Sequence, residues 1–238
     1  VKSFLSFRIS MNALGVIPAR LFSTRFPKKI LYKIDSKPMV VHVYEKAMKA
    51  KKLDDVIIAI DSIETEEVLQ NWDVKTMMTL DSHISGTDRV FEVAQNHNFN
   101  IIVNIQADEP MLEPTLIDSI IEMFKDQKCQ IATAAGRNMT NQKLLDQNVV
   151  KVVLDENNFA VNFCRDIDGK PGQYYHHIGI YAFRNQMLKK FTGLPPSKRE
   201  TELKLEQMRA IDNNIRIKVH LIDEAMIGID TLDDLINL

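Results

Sequence analysis

The chain has 238 residues, of which 45% are hydrophobic and 26% charged, with a formal net charge of −2 at pH 7. That is the composition of a globular protein long enough for a substantial core. The balance of charge argues against a nucleic-acid binder, and no run reaches the ~18 apolar residues of a membrane span. Cys129 and Cys164 form no CxxC or Cys/His cluster, so no disulfide framework or zinc site is expected, and a reducing cytosol fits. The opening "VKSFLSFRIS" lacks an apolar h-region and a cleavage site. Residues 1–12 therefore read as an arm ahead of one domain over 13–238.

Apolar, β-branched runs alternate with amphipathic segments. In chain order the periodicity predicts a strand at 14–18, a helix at 38–50, a strand at 56–60, a helix at 64–70 and a strand at 75–78. A helix at 87–97, a strand at 101–105 and a helix at 114–127 follow, with Pro114 at the helix start, where its missing N–H costs nothing. Strands at 131–135, 149–154, 159–163 and 177–183 lead to helices at 185–191 and 199–212, a strand at 215–221 and a last helix at 231–238. Thr231 would cap that helix, with Asp233 and Asp234 in its first turn, and "DGKPGQ" at 168–173 reads as a turn. The alternation predicts an α/β fold, a mostly parallel sheet with helices on both faces. VIIAI (56–60) and IIVNI (101–105) lack polar alternation and read as central strands.

Ligands in such sheets bind beyond the carboxyl ends of the strands. Three polar stretches occupy such positions: "IPARLFSTRFPKKIL" (17–31), "DSHISGTDR" (81–89) and "QADEP" (106–110). Arg20, Arg25, Lys28 and Lys29 could surround a triphosphate; the alternative is a solvated basic loop. The glycines of a Walker A loop or a GxGxxG turn are absent. Asp108 and Glu109 directly follow a buried strand, a usual place for a Mg²⁺ ligand shared with substrate phosphates. Asp230, in "GID", offers a second carboxylate, or simply a helix cap. His177 and Tyr181 lie four apart on a strand and so share a face; without further information they are a half-buried strand face. Glu206 and Gln207, adjacent on a predicted helix, diverge by about 100° and share a site only if that helix meets it obliquely. His176 reads as a surface residue.

The segments IPARxxSTRFP, KPMVVHVYEKA, SGTDR, QADEP, VKVVL, HIGIYAFR, LEQMRA and GIDTLDDL, in that order and spacing, resemble the 3-deoxy-manno-octulosonate (Kdo) cytidylyltransferases, or CMP-Kdo synthetases. The resemblance runs from about Ala13 to Leu238. It implies a nucleotide-diphospho-sugar transferase-like, three-layer α/β fold. It also implies transfer of CMP from CTP to Kdo with loss of pyrophosphate, dependent on Mg²⁺. The setting implied is a cytoplasmic homodimer serving lipopolysaccharide synthesis. By the same resemblance Arg20 and Lys29 contact the triphosphate, with Ser23 and Arg25 beside them. Ser85, Gly86, Thr87, Asp88 and Arg89 form the nucleotide-side loop, and Asp108 and Asp230 bind metal. Gln106, Arg165, His177, Tyr181, Glu206 and Gln207 line the sugar-acid site. Three departures stand out. Lys28 replaces a glycine that would tolerate positive φ, Ala107 replaces the glycine of Q-G-D-E-P, and "NFCRDIDGK" keeps Arg165 but puts Cys164 in a serine position and lacks the usual Pro-Ile-Pro. They leave open a related acceptor, such as an 8-amino-Kdo or a nonulosonate, and a non-catalytic CTP-binding homologue.

Overall fold

The computed structural model describes residues 11–22, 26–167, 169, 172–225 and 228–229. The arm through residue 10, Ser23, Thr24, Arg25, Asp230, the helix expected at 231–238 and Asp168, Lys170 and Pro171 of the turn at 168–173 lie outside the described residues.

The chain begins with β1 (Ala13–Ala19), a 3-10 turn (Lys29–Leu31) and a small hairpin of β2 (Lys33–Ile34) and β3 (Lys37–Pro38). Next come α1 (Met39–Ala47), β4 (Asp55–Ile60), α2 (Ile63–Leu69), β5 (Thr76–Met78), α3 (Gly86–Gln95), β6 (Ile101–Asn104) and α4 (Pro114–Glu122). The remainder is β7 (Ile131–Gly136), α5 (Asn141–Leu145), β8 (Lys151–Leu154), β9 (Ala160–Cys164), β10 (Tyr175–Arg184), α6 (Asn185–Thr192), α7 (Lys198–Leu203), α8 (Met208–Asp212) and β11 (Ile217–Ile222). Each strand that the periodicity predicts is present.

Among the described residues the main sheet runs β11-β7-β10-β6-β1-β4-β5, with β8 and β9 extending from β10. The pairs β1–β4, β1–β6, β4–β5 and β7–β11 are parallel, while β10 is antiparallel to both β6 and β7. VIIAI shows why the middle must be covered on both sides. Val56, Ile58 and Ile60 pack into one core with Val40 and Val43 of α1 and Ile117 and Ile120 of α4. Ile57 and Ala59 pack into the other with Val90 of α3, Leu188 of α6 and Met208 of α8. A strand with period-two side chains and apolar residues at every position has two core faces. The fold is therefore helix, sheet, helix.

Two elements escape sequence periodicity. The β2–β3 hairpin turns through Asp35 (φ 47°) and Ser36 (φ 69°), successive positive-φ residues that are not the usual Asn-Gly signal. Helix α5 is five residues long with no buried residue, too short for a 3.6-residue pattern to show.

One expected element is corrected. The single helix predicted over 199–212 is two helices, α7 and α8, broken at Lys204 (φ 53°, ψ 47°). Helix α7 starts in a Ser197–Glu200 capping box. Arg209 Nη2 then lies 2.5 Å from Glu200 Oε1. On one continuous helix, residues nine apart project from opposite sides about 13 Å apart, so this ion pair requires the break. The break also buries Leu205 and Met208 and takes Glu206 and Gln207 out of a regular helix.

Candidate functional site

The carboxyl ends of β1, β4, β5 and β6 open onto a cleft with two halves. One half has a volume of about 800 Å³ and is lined by Arg20, Lys29, Ser85, Arg89 and Asp108 among others. The second, of about 1020 Å³, is lined by residues including Asn148, Arg165, His177, Tyr181, Glu206 and Gln207. Gly86 and Gln106 border both halves, so one molecule in each would meet there.

In the first half, the two adjacent lysines point different ways. Lys28 adopts a left-handed conformation (φ 56°, ψ 26°), the geometry for which glycine would be favoured. Its Nζ lies 2.5 Å from Glu64, and both side chains are about half exposed. Lys29 instead reaches Asp108 Oδ2 at 2.5 Å and the Ile229 carbonyl at 3.0 Å. Only Lys29 of the two lines the cleft.

The nucleotide-side loop is fixed by the start of α3. Ser85 Oγ accepts from the Asp88 N–H (3.1 Å) and donates to Asp88 Oδ2 (2.9 Å). A Cβ on Gly86 would meet Pro18 Cγ at 3.4 Å, so α3 packs closely under β1. Arg89 is 2% exposed and donates through Nη2 to Asp61 Oδ2 at 3.0 Å. Asp61 Oδ1 also accepts the Leu21 N–H at 3.0 Å. Arg89 thus borders the cleft while its charge is tied to Asp61, the anchor of the basic loop. Asp61 is a residue that sequence reading missed; its signal is the strand-end position directly after VIIAI.

Asp108 and Glu109 differ sharply. Besides holding Lys29, Asp108 accepts the Ile229 N–H on its backbone carbonyl at 2.9 Å. The chain next to Asp230 is therefore fastened to Asp108, although Asp230 itself lies outside the described residues. Glu109 is buried beside Gly179, whose N–H donates to it, and burial together with the Asp108 charge pushes its pKa up to about 8. Its Oε2 has no hydrogen-bond partner among the described residues. A Cβ on Gly179 would stand 3.3 Å from both Gln106 Cγ and Glu109 Oε1. That close approach joins the two halves through backbone rather than side chain.

In the second half, β10 has a bulge between Ile178 and Tyr181 where it faces β7. The buried Thr133 hydroxyl sits 3.2 Å and 2.8 Å from the Ile178 and Ile180 carbonyls there. His177 and Tyr181 still share a face: the Tyr181 hydroxyl lies 2.9 Å from His177 Nε2. Burial depresses the His177 pKa to about 3 and raises that of Tyr181 well above its ordinary value, so both groups are neutral hydrogen-bonding partners. Glu206 Oε2 accepts from the Thr87 hydroxyl at 2.5 Å, and burial raises its pKa. Glu206 and Gln207 both line the cleft because they occupy the turn between α7 and α8, not an oblique helix. His176, expected on the surface, is only partly exposed; burial depresses its pKa to about 4, with Lys143 and Lys151 adding to the effect.

The chain matches the cytidylyltransferase family model over residues 14–217. It is 38% identical to the 3-deoxy-manno-octulosonate cytidylyltransferase of Thermodesulfovibrio yellowstonii, covering 94% of this chain and 96% of that one. It is 40% identical to the enzyme of that name from Lawsonia intracellularis, covering 96% and 93%. Among solved structures, a CMP:2-keto-3-deoxy-manno-octonic acid synthetase complexed with CTP superimposes with a TM-score of 0.90 at 34% identity, covering 95% of this chain and 96% of the other. A two-part cleft at the strand ends and likeness over nearly the whole length agree: the chain belongs to the cytidylyltransferase family, alongside the 3-deoxy-manno-octulosonate cytidylyltransferases.

Proposed function

We propose that this chain transfers CMP from CTP to the anomeric hydroxyl of Kdo, releasing pyrophosphate. The observation that carries the reading is the cleft itself: a cation-lined half and a polar half meet at Gly86 and Gln106. CTP takes the first half, with Arg20 and Lys29 offsetting phosphate charge and the start of α3 lending its N–H groups. The sugar acid takes the second, where Arg165 faces its carboxylate and His177, Tyr181, Glu206 and Gln207 hydrogen-bond its hydroxyls. The hydroxyl oxygen gives up its proton to solvent and attacks the α-phosphorus in line, and the bond from that phosphorus to the oxygen bridging the β-phosphate breaks with its electrons leaving on pyrophosphate.

Mg²⁺ belongs to this reading. The Asp108 carboxylate and the Ile229 carbonyl already converge on one cation, the Lys29 ammonium, and such hard oxygens suit Mg²⁺. An ion held by one or two carboxylates shares its remaining positions with substrate phosphates and water. Asp108 and Asp230 would hold it. Bound there, it supplies charge neutralisation at phosphorus and a more acidic sugar hydroxyl. A cytoplasmic homodimer serving lipopolysaccharide synthesis completes the proposal, supported by family kinship alone.

The test is pyrophosphate release from CTP. It should require both Kdo and Mg²⁺, and Asp108→Asn should lose roughly 10²-fold or more in kcat/KM. A folded protein silent with Kdo but active on another acid would move the acceptor, and near-normal turnover by the Asp108 variant would remove it from the metal site.

A further inference from the structure

The segment VKVVL contains one residue that no role above absorbs. Lys151 opens β8 between apolar neighbours and is 0% exposed. Its Nζ donates to the Asp146 carbonyl at 2.5 Å and the Arg165 carbonyl at 2.7 Å. No carboxylate among the described residues forms an ion pair with it. Burial pulls its pKa below the ordinary lysine value, so the charge is kept at a cost that an apolar side chain would avoid.

The two carbonyls belong to different segments, and both segments wall the second half of the cleft. Asp146 begins the loop that carries Asn148, and Arg165 directly follows β9; Asn148 and Arg165 both line the cleft. The Arg165 side chain crosses back over the same junction, its Nη1 3.3 Å from the Gln147 and Asn148 carbonyls. The His177 N–H then donates to the Val150 carbonyl at 3.0 Å, joining this wall to β10. One buried ammonium thus sits behind a wall that presents a guanidinium to the cleft.

We infer that Lys151 is a positioning residue for acceptor binding: its ammonium ties the 146–148 loop to the end of β9 and so sets Arg165 and Asn148 for the acid. This rests on the reading of that half as the acceptor site. A guanidinium pairs with a carboxylate through a planar fork, and a fork displaced by even about 1 Å loses much of its effect.

Two variants test it. Lys151→Met removes both bonds and the charge; Lys151→Gln keeps an N–H donor without the charge. Each is assayed with acid and CTP varied separately, and CTP binding is measured by calorimetry. For Lys151→Met the KM for the acid should rise at least about tenfold while CTP affinity and kcat change little, and Lys151→Gln should recover part of that loss. An unchanged KM for the acid in a folded variant, or equal damage to both substrates, would overturn the role. If Lys151→Met does not fold, Lys151→Gln carries the same criterion. If the wild type binds CTP but never uses Kdo, the acceptor reading fails separately. Hydrogen exchange then decides the role of Lys151: faster exchange across 146–150 in Lys151→Gln supports the tie, and unchanged exchange overturns it.

Discussion

Lowering the pH from 6.5 to 5 should affect two variants of this site in opposite directions. The His177 ring meets the Tyr181 hydroxyl, Thr133 Oγ1, the Phe163 ring and the neighbouring His176. Burial takes its pKa from 6.5 to about 3. The unfolded chain therefore takes up a proton below its pKa that the folded protein refuses, and stability falls as the pH drops. The slope is about 1.4 kcal/mol per pH unit, or about 2 kcal/mol by pH 5. That is an upper figure, because the ring borders cleft water. Glu109 acts with the reverse sign: with its pKa raised from 4.5 to about 8, the folded protein keeps a proton that the unfolded chain has released. Its contribution grows by about 2 kcal/mol over the same interval as the pH falls. The two nearly cancel in the wild type, with His176 adding to the histidine side by an amount that its solvent exposure trims. His177→Gln should therefore gain stability between pH 6.5 and 5, and Glu109→Gln should lose it, with profiles diverging by about 4 kcal/mol. Urea melts in half-unit steps of pH, without metal or CTP, read this directly. Parallel profiles for the two variants would refute the reasoning.

Two further tests concern the basic loop. Lys28→Gly should relieve its left-handed strain and stabilise by about 1 kcal/mol, against a surface pair with Glu64 worth less than about 0.5 kcal/mol. It should leave kcat/KM unchanged, whereas Lys29→Ala should cost about 10²-fold; equal kinetic losses would mean that the lysines share the phosphate. Asp61→Asn, which strips the buried Arg89 of its counter-charge, should cost about 3–5 kcal/mol in urea unfolding. A loss below 1 kcal/mol would show that this pair does not anchor the loop.

Particular residues show how far the sequence carries. The runs VIIAI and IIVNI, apolar but for Asn104, dictate buried strands, and their side chains do enter both cores. QADEP and SGTDR sit at strand ends, where a parallel sheet leaves a cleft. Lys28 and Lys29, by contrast, are equivalent in sequence. The resemblance marks Lys28 as standing in a glycine's place, but nothing in "PKKIL" sends its side chain to Glu64 and that of Lys29 to Asp108. The resemblance puts Glu206 and Gln207 in one site, but helical propensity through 199–212 hides the break, required by the Glu200–Arg209 ion pair, that lets both line the cleft. Lys151 read as one more residue of a strand, because burial of a lysine depends on carbonyls supplied from elsewhere.

The amino-acid sequence alone determined the succession of strands and helices, the buried centre of the sheet and the placing of polar segments at its mouth, because side-chain periodicity and turn chemistry act over a few residues. Only the tertiary structure decided which cation meets Asp108, which carboxyl stays protonated and which lysine is buried. Those outcomes depend on contacts such as Lys29 with Asp108 and with Ile229, 79 and 200 residues apart. Solvent exclusion by the assembled layers then sets the pKa values, and no local pattern encodes it.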